Sequence, residues 1–466
     1  MKVPQRLAAG LYWLEQGARG RGAVRRRLAW LAETQQLGAA EVREIQLAKL
    51  RRLLEHAFRT VPYYRRVMEE RGLTPNDFSI GDDLRRLPLL SRHQLRAHGA
   101  ELVSSAADRA TLTANYSSGS TGVRAEFLQD LDFRMWMRAH QLRTYQWCAG
   151  WRLGEPFVLL WGSEIYWSLK RLVDRCENAL TNRREFNTFR LSPPLVRRFV
   201  DELAAFRPVL ISTYTNAMHL IAREAERRRL RLPGLRAVQG TSEPLPPAVR
   251  ERIAEVFGCE VYDKYGMRET NIVAHETPDH DGMAIQAENV YVEFLASDGR
   301  PCQPGETGRV VVTSLNNLAM PLIRYETSDL GAPLAGTGSA GFGLPRMSHV
   351  AGRLQDLILT PSGSHIDAYF FSYLFMRCDQ IHWFQVVQTD LDRLVVRVYA
   401  PAGLERATCA ALQERIRHHT GCDFRLAFET LDAMPESSTG KFRLCVSELG
   451  SQATATAATA RVAVGA

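Results

Sequence analysis

Four Ser and Thr hydroxyls and two glycines fall within one seven-residue stretch, Tyr116-Ser117-Ser118-Gly119-Ser120-Thr121-Gly122. Glycines let a backbone approach a ligand closely, and hydroxyls beside free N–H groups suit phosphate oxygens. The plainer reading is a surface loop. A second segment, Tyr265-Gly266-Met267-Arg268-Glu269-Thr270, follows an apparent strand over 260–264. The ends of parallel strands are where open α/β sheets bind ligands. There an aromatic ring and a carboxylate could stack a base and hold Mg²⁺; a strand-to-helix turn with a surface Glu is the plainer alternative. Three more polar segments follow: Leu322-Ile323-Arg324-Tyr325-Glu326-Thr327-Ser328-Asp329, Gly352-Arg353-Leu354-Gln355-Asp356 and Ser437-Ser438-Thr439-Gly440-Lys441.

The lone lysine of that last loop stands out because lysine is scarce. Of 59 Lys and Arg residues, only Lys2, Lys49, Lys170, Lys264 and Lys441 are lysines. A P-loop needs Gly-Lys followed by Ser or Thr. Only Lys441 follows a glycine, Phe442 comes after it, and Pro435 stands where the first glycine belongs. P-loop NTPase chemistry is therefore excluded. No G-x-S-x-G elbow occurs, which leaves a serine hydrolase without support. His275 and His280 are five apart rather than four, with Pro278 between them, so a zincin helix is excluded as well.

The elements that must position these segments are alternating α/β. Short apolar runs at 157–161, 209–213, 290–295 and 309–313 predict buried strands. A helix is predicted over 246–257, opened by prolines and closed by Gly258. Strands alternating with helices imply a largely parallel, covered sheet. Residues 1–75 read as helical, with Leu47, Leu50, Leu54 and Phe58 forming one apolar stripe. After about residue 353 the pattern changes to strand, helix, two strands, helix and strand, a small α+β domain. The expected divisions are 1–75 for a helical entry to the large domain, 76–352 for the core, 353–449 for a small mobile domain, and 450–466 for a disordered Ala/Thr-rich tail.

Composition narrows the class further. The 466 residues are 45% hydrophobic and 24% charged, ordinary globular usage that excludes disorder, collagen and coiled coil. The net charge of +8 is spread along the chain, so no nucleic-acid partner is expected. Eight cysteines form no C-x-x-C pair, which fits a reducing cytoplasm. No apolar run approaches the roughly 20 residues of a membrane span. A basic cluster, Arg19, Arg21, Arg25, Arg26 and Arg27, precedes Leu28, Trp30 and Leu31. A weak contact with an anionic membrane surface is the sharper reading of it, and a solvated helix face the plainer one.

Taken in order and spacing, the five segments resemble the adenylate-forming (acyl-CoA synthetase) superfamily, most closely its phenylacetate–CoA ligase branch, including relatives from polysaccharide gene clusters. Val61-Pro62-Tyr63-Tyr64-Arg65-Arg66, Asp82-Asp83-Leu84-Arg85-Arg86-Leu87-Pro88, Gly240-Thr241-Ser242-Glu243-Pro244 and Ala319-Met320-Pro321-Leu322 are similar to that branch in particular, and the likeness runs from about 45 to 445. It implies a large α/β domain with a small mobile C-terminal α+β domain. It implies a two-step reaction of ATP, a carboxylic acid and coenzyme A: acyl-adenylate formation, then transfer to the thiol. Ser117 to Gly122 would cradle the triphosphate. Ser242, Glu243 and Pro244 would line the adenine, and Tyr265, followed by Gly266, would stack on it. Glu269 would ligate Mg²⁺, Asp329 the ribose, and Arg353 the nucleotide. Lys441 would bridge carboxylate and α-phosphate, with Gln355 at the hinge. Trp161, Tyr166, Trp167 and Tyr214 fall where relatives shape the acyl pocket, and aromatic walls suit an aryl or hydrophobic acid.

Four features depart from the pattern. Val123-Arg124 replaces the usual Lys-Pro after the loop, and a guanidinium fork is not a point charge. Arg268 replaces a small hydroxyl residue, and Gln355 an Asp or Lys. Thr277, Ser339 and Gly341 replace the cysteines of a zinc pattern, so no zinc is expected. Two alternatives follow: an adenylating enzyme with a carrier protein, amine or sugar as acceptor, or an impaired ATP-binding homologue. A homodimer is compatible with all of them.

Overall fold

The computed structural model describes residues 2–78, 81–116, 125–161, 178–188, 193–350, 352–353, 358–361, 365–366, 368–375, 378–433, 435 and 444–449. The tail expected at 450–466 lies outside them.

Helices α1 (Gln5–Ala18), α2 (Ala23–Thr34), α3 (Ala39–Thr60) and α4 (Pro62–Glu70) open the chain. Local sequence sets their ends. Gly20 takes φ +69° between α1 and α2. The Glu41 carboxylate accepts the Gly38 N–H at 2.9 Å at the start of α3. Pro62 occupies the first turn of α4, where its missing N–H costs nothing. Leu50, Leu53 and Leu54 of α3 pack with Tyr63 and Tyr64 against Met320, Leu322 and Ile323. Tyr64 donates to the Pro321 carbonyl at 3.1 Å and accepts from Ile323 N at 2.9 Å, which fixes the strand entry that leads to Asp329. In the basic cluster, Arg19 pairs with Glu15, Arg25 lies over Trp13, and Arg27 lies over Trp136 and bonds the Asp132 carbonyl. Arg25 and Arg27 thus join helices to one another, whereas the Arg19 pair stays at the end of α1.

A short helix, α5 (Arg92–Ala97), precedes an antiparallel pair, β1 (Thr113–Tyr116) and β2 (Glu126–Gln129). The Ser/Gly/Thr segment connects those two strands. Helix α6 (Leu131–Trp147) follows, with Asp130 accepting the Phe133 N–H at 2.6 Å as its N-terminal cap.

The main sheet is built from β3 (Phe157–Trp161), β4 (Arg183–Asn187), β5 (Leu210–Tyr214), β6 (Ala237–Thr241), β7 (Glu260–Met267), β8 (Asn271–Glu276) and β9 (Met283–Ile285). Strands β4, β3, β5, β6 and β7 lie side by side and parallel, and β8 and β9 continue antiparallel. Connecting helices α7 (Pro193–Phe206), α8 (Thr215–Arg227) and α9 (Pro247–Phe257) cover the face that carries Val158, Ile211, Val238 and Val261. The other face, with Phe157, Leu159, Leu210 and Tyr262, packs under α2 and α6. Burial on both faces explains the continuous apolar runs of these strands.

A second sheet joins β10 (Val290–Leu295), β11 (Gly308–Ser314) and β12 (Tyr325–Gly331). Short strands β13 (Pro333–Leu334) and β14 (Arg346–Met347) extend the main sheet, and β15 (Gly352–Arg353) pairs with β12. The C-terminal unit holds β16 (Ile358–Leu359), β17 (His365–Ile366), α10 (Ala368–Phe375), β18 (Trp383–Asp390), β19 (Arg393–Tyr399), α11 (Arg406–Thr420), β20 (Arg425–Thr430) and β21 (Cys445–Ser447). Its sheet order is β20-β19-β18-β21, the α+β pattern expected from sequence. Phe371, Phe375 and Phe384 continue the apolar layer of α7 to α9, and Arg223 of α8 donates to the Asp379 carbonyl at 2.7 Å.

One of the most deeply buried charges among the described residues belongs to α6. Arg143 is 1% exposed. It donates to both carboxylate oxygens of Glu288 (2.7 and 2.8 Å), to Gln286 (2.6 Å) and to the Leu31 carbonyl (3.2 Å). Burial alone would raise the Glu288 carboxyl, but the guanidinium holds it at about 2. Breaking a buried pair strands the remaining charge. Arg143→Met should therefore lose about 3–5 kcal/mol of stability in chemical denaturation. A loss below about 1 kcal/mol, the level of an exposed pair, would contradict this.

Candidate functional site

The parallel strands bring one row of side chains to their carboxyl ends. Leu159 pairs with Ser212, Tyr214 with Thr241, Thr241 with Lys264, and Lys264 with His275. Side chains alternate faces along a strand, so Trp161, Tyr214, Thr241, Lys264 and His275 all lie on the α6-covered face. The Trp161 and Tyr214 rings meet at 4.7 Å between centroids and 43° between planes. Two of the expected acyl-pocket aromatics therefore form one wall.

Beyond that wall the row turns polar. Gln239 donates to His275 Nε2 at 2.9 Å, while His275 Nδ1 lies against the Glu276 carbonyl. One ring nitrogen accepts and the other donates, which is the neutral imidazole, and burial lowers its pKa to about 3. Burial also pushes the Cys148 thiol well up. Lys264, 8% exposed, is lowered to about 8 by the same desolvation. His280 stacks on Tyr262 at 4.7 Å between centroids, and the His275 ring lies over the same tyrosine at 6.1 Å, so the two histidines of the excluded zincin pattern share an aromatic neighbour.

The residues expected from sequence to face a nucleotide lie on or next to β7 and β12. Tyr265 donates its hydroxyl to Asp329 Oδ2 at 2.7 Å, which unites the expected adenine-stacking ring and ribose carboxylate. Asp329 also faces Arg353 across the β12–β15 register. Tyr325 donates to Glu269 Oε1 at 3.2 Å, and Glu269 is 5% exposed. Glu243 accepts the Asn216 N–H at 2.9 Å and so caps the start of α8. Ser242, just before it and Pro244, takes φ +69°, a left-handed backbone that costs about 1–3 kcal/mol in a non-glycine residue and is typical of binding loops.

The segment after 264 differs from its sequence reading. The strand runs on to Met267 and returns as antiparallel β8, not as a helix. Two residues explain this. A Cβ on Gly266 would lie 2.7 Å from the Asn271 carbonyl oxygen, so only glycine permits this approach. Asn271 takes φ +68°, which Asn tolerates better than most residues. Arg268 donates to the Tyr116 carbonyl at 3.4 Å, linking this hairpin to the strand that leads into the Ser/Gly/Thr segment.

Ser117, Ser118, Gly119, Ser120, Thr121, Gly122, Tyr166, Trp167, Gln355 and Lys441 lie outside the described residues. Sequence reasoning did not single out Lys264 for the site. Its signal was available: one of five lysines in the chain stands directly before Tyr265-Gly266.

The sequence profile of the AMP-binding enzyme family matches residues 75–320, more than half of the chain. The chain belongs to the AMP-binding enzyme family. Residues 358–448 match a second profile, the CapK C-terminal domain. Among relatives, the phenylacetate-coenzyme A ligase of Thermus thermophilus is 27% identical over 337 residues, 70% of this chain and 74% of that protein. The ligase of the same name from Pseudomonas putida is 26% identical over 328 residues, 68% and 72% of the two chains. A solved 2-hydroxyisobutyryl-CoA ligase in its postadenylation state with 2-HIB-AMP superposes with a TM-score of 0.74 at 21% identity, covering 90% of this chain and 92% of that one. The same ligase with 2-HIB-AMP and CoA gives 0.61 at 22% identity, covering 89% and 91%. The overall architecture is thus the adenylate-forming fold.

Within this AMP-binding enzyme, the Tyr265–Asp329 bond ties ring to carboxylate. A neutral hydrogen bond contributes about 0.5–1.5 kcal/mol, and one to a charged group more. Because Asp329 is a carboxylate, Tyr265→Phe should weaken ATP binding about 10- to 150-fold in equilibrium titration, the scale of losing a hydrogen bond to a charged group. Unchanged affinity would show that Asp329 needs no positioning by Tyr265.

Proposed function

We propose that the chain is an AMP-forming acid–thiol ligase that activates a carboxylic acid with ATP and passes the acyl group to coenzyme A. The observation that carries this reading is the joint placement of Tyr265, Asp329 and Glu269 beside an aromatic-walled row of strand ends. The names of the phenylacetate-coenzyme A ligases that it resembles support the same chemistry.

In the first step a carboxylate oxygen attacks the α-phosphorus of ATP. The bond to the bridging oxygen breaks, and pyrophosphate leaves. In the second, a thiol sulfur attacks the acyl carbonyl, the thiol proton is lost, and AMP departs with the oxygen it gained. Tyr265 and Asp329 orient the nucleoside, which lowers the barrier by positioning. Lys441 supplies a cation between two anions, where preorganised charge is most effective. Ser117, Ser118, Gly119, Ser120, Thr121 and Gly122 hold the phosphates, and Ser242 with Glu243 and Pro244 borders the base.

Glu269 fits a magnesium ion. Its carboxylate is a hard oxygen donor, and among the described residues only Oε1 is hydrogen-bonded. Bound there with ATP, Mg²⁺ would screen the phosphate charge. We assign 1–75 and 76–352 to the large domain and 353–449 to a small domain that turns about Gln355 between steps and carries Lys441. The cytoplasm suits the free thiols Cys148, Cys259, Cys302, Cys378, Cys409, Cys422 and Cys445. No helix among the described residues is long and apolar enough to cross a membrane.

A second reading changes only the acceptor to a carrier-protein thiol, an amine or a sugar. The match of residues 358–448 to a distinct profile, the CapK C-terminal domain, favours keeping it. Pyrophosphate release across a carboxylic-acid library, with and without CoA, tests both. The ligase reading expects acid-dependent release and a CoA thioester. Acyl hydroxamate formed with hydroxylamine but no thioester supports the second reading. Background release throughout contradicts both. Lys441→Ala should lose at least 100-fold in adenylation, the scale of removing one preorganised oxyanion donor; an unaffected rate would remove Lys441 from the chemistry.

A further inference from the structure

Lys264 is a buried cation of β7. Its side chain is 8% exposed, yet among the described residues its ammonium makes no hydrogen bond or ion pair. The contrast with Lys49 is direct. That partly buried lysine donates to the Glu288 carbonyl at 2.7 Å and to Asn316 Oδ1 at 3.0 Å, and it lies 3.8 Å over the Trp136 ring. Lys49 is held by structure, and Lys264 is not.

The surroundings of Lys264 are neutral. On its own face its cross-strand neighbours are Thr241 and a neutral His275, and Cys148 is a buried thiol. The carboxylates of β7 and β8 are engaged elsewhere. Glu276 is tied to Arg250 at 2.8 Å, to His349 at 2.6 Å and to Asp263 N at 2.6 Å. Asp263 alternates to the opposite face. A buried cation without a counter-charge is expensive, and such a group at the ligand end of a parallel sheet marks a place where a ligand completes the pairing.

Position says which ligand. Lys264 lies in the same row as the Trp161–Tyr214 wall, two strands from Tyr214 through Thr241. Two inter-strand spacings are about 9.6 Å, within the length of a small organic acid. We propose that Lys264 is a specificity-determining residue that receives a second, distal carboxylate of the acid substrate, so that the enzyme's substrate class is dicarboxylic acids rather than purely hydrophobic ones. This rests on the ligase reading and narrows it: one carboxylate is activated at the nucleotide, and the other is held at the floor of the acyl pocket.

Matched pairs test the idea: hexanoate against adipate, and phenylacetate against 4-carboxyphenylacetate. The expected result is at least a tenfold higher kcat/KM of pyrophosphate release for the diacid of each pair. Lys264→Met should erase that preference and turn over the neutral acid faster than the wild type does. Lys264→Arg should keep part of it. Thermal unfolding of Lys264→Met should stay at or above the wild-type midpoint, because an apolar side chain replaces a buried charge. Adipate binding, followed by tryptophan fluorescence with ATP present, gives a second readout independent of turnover. Preference for the neutral acids that Lys264→Met leaves unmoved would overturn the proposal and keep the ligase reading. Equal loss of all acids in Lys264→Met would also overturn it, by placing the lysine at the reacting carboxylate. Adipate binding that depends on Lys264, with no pyrophosphate release from any acid, would support the subsite and overturn the ligase reading instead.

Discussion

Arg143 makes every one of its directed contacts inside the protein. Its guanidinium grips both oxygens of Glu288, shares Gln286 with His140, and reaches the last turn of α2 at Leu31. Thr34 adds a hydroxyl to the same carboxylate at 2.7 Å. One charged pair thereby locks α6 to the helical entry on one side and to the lead-in of the second sheet on the other. A purely apolar seam could slide; a bidentate pair with fixed forks has one geometry. Everything that the site needs from α6 depends on that fixed placement: the cover over the sheet face that bears Trp161, Tyr214 and Lys264, and the cap at Asp130 that carries the chain out of β2.

From this anchor the site follows by topology. Parallel strands must end on the same edge, so residues far apart in sequence become neighbours there. The row from Trp161 to His275 takes one residue from each of five strands. The second sheet delivers Asp329 and Tyr325 from the other side, with Tyr64 holding the preceding segment in place. Tyr265 is where the two sheets meet, since its ring belongs to β7 and its hydroxyl to Asp329. A nucleotide there would be oriented by both sheets and an acid by one, which is the separation of roles that a two-step ligase requires.

Sequence reading reached the fold because its strands are short, apolar and buried on both faces. The strand over 290–295 has the expected bounds, and that over 157–161 likewise. Tyr265 and Glu269 were legible because an aromatic ring and a carboxylate follow a strand end, and Asp329 through the resemblance of its segment to the adenylate-forming superfamily. Three things were not legible. The β7–β8 hairpin depends on a close approach at Gly266 and a left-handed Asn271, which no periodicity reveals. The Arg143–Glu288 pair joins residues 145 apart, and nothing local to either marks its partner. Lys264 read as part of a strand, and its isolation appears only when the neighbours on its face are known.

The central claim is that a carboxylate oxygen of the substrate becomes bonded to the α-phosphorus of ATP. Oxygen labelling measures this directly. The enzyme is incubated with ATP, CoA and an acid that it turns over, carrying ¹⁸O in its carboxylate, and the products are read by mass spectrometry. The account predicts one ¹⁸O in AMP and none in pyrophosphate. Label in inorganic phosphate, with ADP as co-product, would contradict it, because attack would then have occurred at the γ-phosphorus.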